Sequence, residues 1–204
     1  MTRLSMSLAL LAMLISASSQ ASMPASPQAR CSLTEETSPT VRGLRLGMNA
    51  QQFLALFPGT SKKTEMREAI EKAKSTKHDE ATVLAVDPIT DGDPHQFAEV
   101  VSVATTFYKA KAVSIIIQYS GASWTNIDQW IAKLSESFKL PGARDWVVGP
   151  DEAPNKILKC NGILISAAIQ GGGSSIELQN TTYLREIEQR ARDVEEMKRL
   201  QAKP

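Results

Sequence analysis

The stretch VVSVATTFYKAKAVSIIIQY, residues 100–119, decides the fold of this chain. Its two halves, Val100–Tyr108 and Val113–Tyr119, are rich in the β-branched and aromatic residues that favour strands. Between them, Lys109-Ala110-Lys111 has the length of a hairpin connection. The sequence therefore predicts an antiparallel hairpin at the middle of the chain.

A short helix is predicted upstream of this hairpin. Asn49 is a favourable N-cap, and Gln52, three residues later, can complete a capping box. Phe53 and its apolar neighbours give the helix one hydrophobic face, and Pro58-Gly59 ends it. The charged run 62–80 predicts a second, solvated helix before the hairpin.

The same order of elements recurs downstream. Thr125-Asn126-Ile127-Asp128 predicts a helix start, and three strand-like runs follow between residues 146 and 179. This recurrence predicts a tandem α-β-β-β repeat, residues 41–119 and 123–182, inside a single α+β domain of residues 41–182. Chance recurrence of such common elements is the alternative.

The N-terminus has the pattern of an export signal. Arg3 precedes the apolar run Leu4–Ile15, and small residues follow at Ser19 and Ala21. This order predicts a signal peptide, residues 1–21, cleaved near Ala21. The apolar run is too short to cross a bilayer, which needs about 20 residues. The predicted localisation of the mature protein is therefore periplasmic or secreted.

The two cysteines predict one disulfide. Cys31 lies in a Pro- and Ser-rich leader, residues 22–40, that is predicted to be flexible, and Cys160 lies in an apolar strand-like run. In an oxidising compartment, two thiols without metal-ligand spacing most simply pair. Lipidation of Cys31 is disfavoured because Arg30 stands where a small residue is needed.

Two segments resemble a known family: residues 44–49, Leu-Arg-Leu-Gly-Met-Asn, and the predicted hairpin residues 106–113. This combination resembles small envelope domains of the BamE (SmpA/OmlA) type. The resemblance covers residues 41–119 and implies a helical pair packed on a three-stranded antiparallel sheet. A tandem α/β repeat with a disulfide also resembles, in architecture, secreted proteins of the β-lactamase-inhibitor kind.

No residue pattern predicts catalysis, a cofactor or a metal site. His78 and His95 are the two histidines, and the sequence places no partner beside either. The aspartates between residues 87 and 93 lack calcium-loop spacing and are typical of turns. Gly171-Gly172-Gly173 lacks the lysine of a phosphate loop and predicts a hairpin turn.

Two regions could contact a protein partner. Trp124 and Trp130 lie near the second helix, and tryptophan is favoured at interface hot spots; burial in the core is the alternative. A C-terminal helix is predicted over residues 183–204, with a narrow apolar stripe of Leu184, Ile187, Ala191, Val194 and Met197. Val194, Met197 and Leu200 in its distal half are the predicted partner contacts. Packing of this helix on its own domain is the alternative.

The predicted fold class is α+β, with an antiparallel sheet, helices mainly on one face and a C-terminal helix. The net charge of +1 gives no electrostatic reason to expect nucleic acid as a partner. The sequence favours an exported, non-enzymatic binding or scaffold protein with a protein partner, no cofactor, and no transmembrane segment in its mature form. The alternatives are an inhibitor of a secreted enzyme and an uncharacterised extracytoplasmic hydrolase.

Overall fold

The two halves of the chain meet in one antiparallel sheet. The computed structural model describes residues 31–75, 80–120, 124–150 and 154–201. Its strands are β1 (Thr82–Val86), β2 (Val100–Tyr108), β3 (Lys111–Tyr119), β4 (Val147–Val148), β5 (Asn155–Lys159), β6 (Ile163–Gln170) and β7 (Gly173–Asn180). They are arranged in the order β1-β2-β3-β7-β6-β5-β4, so each half contributes a meander whose last strand lies inside the sheet.

Five helices accompany the strands within the described residues. They are α1 (Ala50–Leu56), α2 (Arg67–Lys74), α3 (Pro88–Asp91), α4 (Ile127–Phe138) and α5 (Thr181–Gln201). The predicted capping box is confirmed, because Asn49 and Gln52 exchange hydrogen bonds of 2.9 Å at the start of α1. None of the described helices is long and apolar enough to cross a membrane.

Both predicted hairpin turns are confirmed. Lys109 and Ala110 join β2 to β3 with φ of 51° and 61°, as a tight two-residue turn of the primed type requires. Gly171 and Gly172 join β6 to β7, also with positive φ, and have no neighbouring atoms within 4 Å of an added Cβ. The glycine run is therefore a turn at the edge of the molecule.

The core lies between one face of the sheet and the helices. The register pairs Ile115 with Leu178 and Ile117 with Ile176, and these four side chains are fully buried. Helix α1 packs on this inner face through Phe53, whose ring lies 5.6 Å from that of a β2 phenylalanine. The α+β fold with a C-terminal helix is thus confirmed. Each half contains three successive antiparallel strands; α3 lies between the first two in the first half, and β4 precedes the three in the second.

The disulfide links the N-terminal segment to the end of β5. Cys31 and Cys160 are bonded, with a Cα–Cα distance of 4.6 Å, across 129 positions of sequence. Glu35 adds a second attachment, accepting hydrogen bonds from Lys111 (3.1 Å) and Asn180 (2.7 Å). Residues 31–40, which the sequence assigned to the flexible leader, are therefore part of the packed domain. The predicted signal peptide and residues 22–30 lie outside the described residues.

Removing the disulfide should destabilise the domain without changing its fold. Because the bond closes a long loop, Cys160→Ala should lower the free energy of unfolding by about 2–5 kcal/mol in denaturant titration. Cys31→Ala and the double variant should lose a similar amount, since each removes the same bond. Two reactive thiols in the denatured, non-reduced protein would contradict the assignment.

Candidate functional site

The first turns of α5 are held on the β2–β3 hairpin by one carboxylate. Glu186 Oε1 accepts hydrogen bonds from Tyr108 Oη (3.0 Å) and Lys109 Nζ (2.6 Å). Arg190 reaches the same oxygen at 3.4 Å, and its guanidinium lies 6.0 Å from the centre of the Tyr108 ring. Tyr183 packs on Tyr108 edge to face, with ring centres 6.1 Å apart. These contacts bury Tyr108 and set the direction in which the helix leaves the sheet.

The distal half of α5, residues 191–201, projects away from the domain. All eleven of these residues are exposed. They include the three predicted partner contacts of the helix, with Val194 exposed by 45%, Met197 by 55% and Leu200 by 57%. Exposed aliphatic side chains on the distal half of an anchored helix are typical of an interaction surface.

The sheet face opposite the helices is open over its four central strands. Its side chains form three rows across β2, β3, β7 and β6, set by the strand register. We call these twelve residues the open face: Thr106, Ser114, Gln179 and Leu164 in the first row, Ala104, Ile116, Glu177 and Ser166 in the second, and Ser102, Gln118, Ser175 and Ala168 in the third.

Small side chains dominate the open face. Seven of the twelve residues are Ser, Ala or Thr, and eleven of the twelve keep part of their surface exposed. Short side chains have little rotamer entropy to lose on contact. They also leave the surface low enough for the side chains of a partner to approach the strands. The open face is therefore suited to contact with a helix or another flat surface.

A single carboxylate occupies the centre of the open face. Glu177 lies on β7, the middle strand of the seven, between Ile116 on β3 and Ser166 on β6. Its Oε1 accepts hydrogen bonds from Ser114 Oγ (3.1 Å) and Gln179 Nε2 (2.7 Å). No cation of the described residues forms an ion pair with it. The face thus presents one uncompensated negative charge.

Sequence reasoning missed Glu177, although a signal for it exists. Ser175, Glu177 and Gln179 alternate with the buried Ile176 and Leu178, and such alternation predicts one polar face on a strand. The central position of the carboxylate depends on β3 and β6 being its neighbours. Those pairings are long-range and carry no local signal.

A shallow cleft lies at one end of the open face. It has a volume of about 460 Å³ and lies beside the β6–β7 turn. Its walls include Gln118 and Ser175 of the open face, Val101, and the glycines 171–173. Because the turn has no side chains, the cleft is wide and accessible from the open face.

The two predicted binding tryptophans have different surroundings. Trp130 is 4% exposed, and its Nε1 donates to the carbonyl oxygen of Ser175 at 3.0 Å, so it belongs to the core rather than to a binding surface. Trp124 is partly buried and stacks on Trp130, with ring centres 5.4 Å apart. It lines a second cleft of about 430 Å³ with Ile127, Ile169 and other residues near the glycine turn.

The aspartates between residues 87 and 93 act as structural residues. Asp87 accepts a hydrogen bond from the Ile89 amide at the start of α3. Asp91 is buried and forms an ion pair of 2.8 Å with Lys63. Within the described ranges, no three His, Cys, Asp or Glu side chains are grouped to hold a metal ion. His95 is exposed, and His78 lies outside those ranges.

Comparison with known proteins identifies no relative. No protein-family model, curated protein or solved structure matches the chain. The function is therefore argued from the surfaces described above.

The anchor of α5 should weaken in acid. The hydrogen bond from Lys109 lowers the pKa of Glu186, and burial opposes this effect. A lowered folded-state pKa means that the stabilisation is full at neutral pH. The stabilisation begins to decrease when the pH falls below the ordinary pKa of a glutamate. It is lost once the pH has passed through the lowered pKa of Glu186. Proton NMR titration should show residues 183–190 loosening in that range before the sheet unfolds.

The variant Glu186→Gln should abolish this pH response because it removes the titrating group. The matched variant Glu188→Gln, which changes an exposed carboxylate on the same helix, should preserve it. A titration of Glu186 at or above the ordinary glutamate pKa would contradict the anchor.

Proposed function

We propose that this protein is an exported, non-enzymatic binding or scaffold protein, and that the distal half of α5 is its main contact with a protein partner. One observation carries the proposal: residues 191–201 are helical and exposed, and they include three exposed aliphatic side chains. A helix of this kind can bind a groove or a flat face through residues spaced three or four apart. Val194, Met197 and Leu200 have that spacing.

Two further features support an exported scaffold. The disulfide of Cys31 and Cys160 favours an oxidising compartment, in agreement with the signal-like N-terminus. In the first half, α1 and α2 pack on β2 and β1, which with β3 form one side of the seven-stranded sheet. This arrangement supports the resemblance to BamE-type envelope modules, and with it a role in the cell envelope or the secreted fraction.

Inhibition of a secreted enzyme is the second candidate function. The observation that favours it is the cleft beside Trp124, where an aromatic side chain, Pro154 and the glycine turn 171–172 meet. Such a surface can receive or cover a protruding loop of another protein. The candidate predicts that Trp124→Ala removes binding while changes in α5 do not.

Site-specific photo-cross-linking tests the proposed function. A photoreactive phenylalanine analogue at position 197 in the exported protein should give a discrete protein adduct on irradiation of intact cells. The same analogue at position 192 is the matched control, because that residue lies about 140° away round the helix. It should give little adduct. Equal labelling from both positions, or none from either, would contradict the assignment of α5 as the contact.

A further inference from the structure

We propose that the disulfide of Cys31 and Cys160 is a redox switch for α5. The oxidised bond fixes the start of the helix, and reduction loosens that start and weakens the partner contact of the distal half. This inference rests on the proposed function, since it concerns the same helix. It adds a way of regulating the contact.

The start of α5 lies against the turn that follows Cys160. Asn180 directly precedes the helix and pairs with Ile163, the first residue of β6. The amide of Thr181, the first helical residue, donates a hydrogen bond of 2.9 Å to the carbonyl oxygen of Gly162. The helix therefore begins on the β5–β6 turn, next to one half of the disulfide.

The other half of the disulfide brings a carboxylate to the same place. The backbone at Cys31 forms a bridge with that at Cys160, and Glu35 follows along the chain. Glu35 Oε2 accepts a hydrogen bond of 2.7 Å from Asn180 Nδ2, and its Oε1 accepts one of 3.1 Å from Lys111 Nζ. Both halves of the disulfide thus lead to the residue that precedes α5.

Asn180 is the N-cap of α5. Its Oδ1 accepts hydrogen bonds from the amides of Thr182 (3.1 Å) and Tyr183 (3.3 Å), and the residue is 7% exposed. An asparagine amide has an acceptor on one side and a donor on the other, whereas a carboxylate only accepts. Glu35 therefore fixes which atom of the amide faces the helix and holds the cap in the orientation that α5 needs.

Gly47 makes room for this carboxylate. A Cβ added at position 47 would lie 2.7 Å from Glu35 Oε1. The Glu35 side chain is 22% exposed, so its contacts belong to the packed domain rather than to its surface. The absence of a side chain at position 47 lets Glu35 reach Asn180.

The disulfide keeps Glu35 in position. In the described part of the chain, the side-chain hydrogen bonds that join residues 32–40 to the rest of the domain are those of Glu35. With the bond intact, this segment is fixed at Cys31 and at the buried Val41. Reduction leaves it attached at Val41, with Leu33 packed only partly on the core. The contacts of Glu35 must then overcome the ordering entropy of a freed segment.

The redox step is an exchange with a dithiol. Cys31 and Cys160 are only partly buried, so a reductant can approach the bond. One thiolate of the dithiol attacks a sulfur of the disulfide, the S–S bond breaks, and the other cysteine leaves as a thiolate. The second thiol of the reductant then displaces the attached cysteine. Two electrons and two protons pass from the dithiol, which becomes a disulfide, to the two cysteines, which become thiols.

A loosened start makes α5 a weaker contact. Residues 191–201 are exposed in the oxidised protein, and their direction from the domain depends on the anchored first turns. A helix held in one direction loses less freedom on binding than a mobile helix. The oxidised protein should therefore bind its partner more tightly than the reduced protein.

Backbone NMR relaxation of the purified protein, oxidised and then reduced with dithiothreitol, tests the link to the helix. Reduction should lower the order parameters of residues 181–190 below the rigid value of about 0.85, while β3 and β7 keep that value. Glu35→Ala should give the same loss with the disulfide intact, and reduction should then add little. Glu36→Ala is the matched control, because Glu36 is exposed and bonds to Thr34 instead. It should keep the full redox response.

Three results of this experiment would overturn the switch. They are unchanged order parameters of residues 181–190 on reduction, a full redox response in Glu35→Ala, and a sheet that unfolds with the helix on reduction. The last result would show that the bond stabilises the whole domain rather than the start of α5.

The photo-cross-link at position 197 tests the effect on the partner contact. In cells, Cys31→Ser combined with Cys160→Ser, and separately Glu35→Ala, should lower the adduct yield per folded molecule severalfold, whereas Glu36→Ala should not. An adduct kept in full by the first two variants would overturn the switch and leave the proposed function standing. No adduct from the wild type would contradict the proposed function, and the relaxation result would then decide whether the disulfide controls the helix.

Discussion

The pairing of β3 with β7 is the contact on which the rest of the structure depends. These are the last strands of the two halves, and both lie inside the sheet. Because they pair antiparallel over Ser114–Tyr119 and Ser174–Gln179, two separate meanders become one surface with two faces. The inner face gathers Ile115, Ile117, Ile176 and Leu178 into one core. The outer face becomes one continuous surface of mostly small or polar side chains.

The same pairing explains why this protein has unpartnered surfaces. β3 is followed by α4, which returns to the inner face and places Trp130 in the core. β7 is followed by α5, whose first turns are held on the β2–β3 hairpin by Glu186. Anchored only by its first turns, α5 projects from the end of β7.

Local signals in the sequence predicted much of the fold. The cap at Asn49, the β2–β3 hairpin and the glycine turn each depend on a few adjacent residues. The disulfide followed from the number of cysteines and the expected compartment. The order of the strands in the sheet could not be predicted from the sequence. The pairing of β3 with β7 joins residues far apart in the chain, and several other strands have a composition equally suitable for pairing with β3. For the same reason the sequence could not separate buried Trp130 from partly exposed Trp124, or recognise Glu177 as central.

The stripe of α5 was predictable from periodicity, but its exposure depends on where β7 ends.

The proposed function requires that the distal half of α5 leaves the domain while its start stays anchored. Native-state hydrogen exchange of the dilute mature protein, resolved by residue, tests this most directly. The amides of Ile115–Ile117 and Ile176–Leu178 should exchange only through global unfolding. Amides 184–190 should be intermediate, and amides 191–201 should exchange at the rates of a frayed, solvated helix. Protection of amides 191–201 equal to that of β3 and β7 in a monomeric sample would show that the helix is part of the core and would contradict the account.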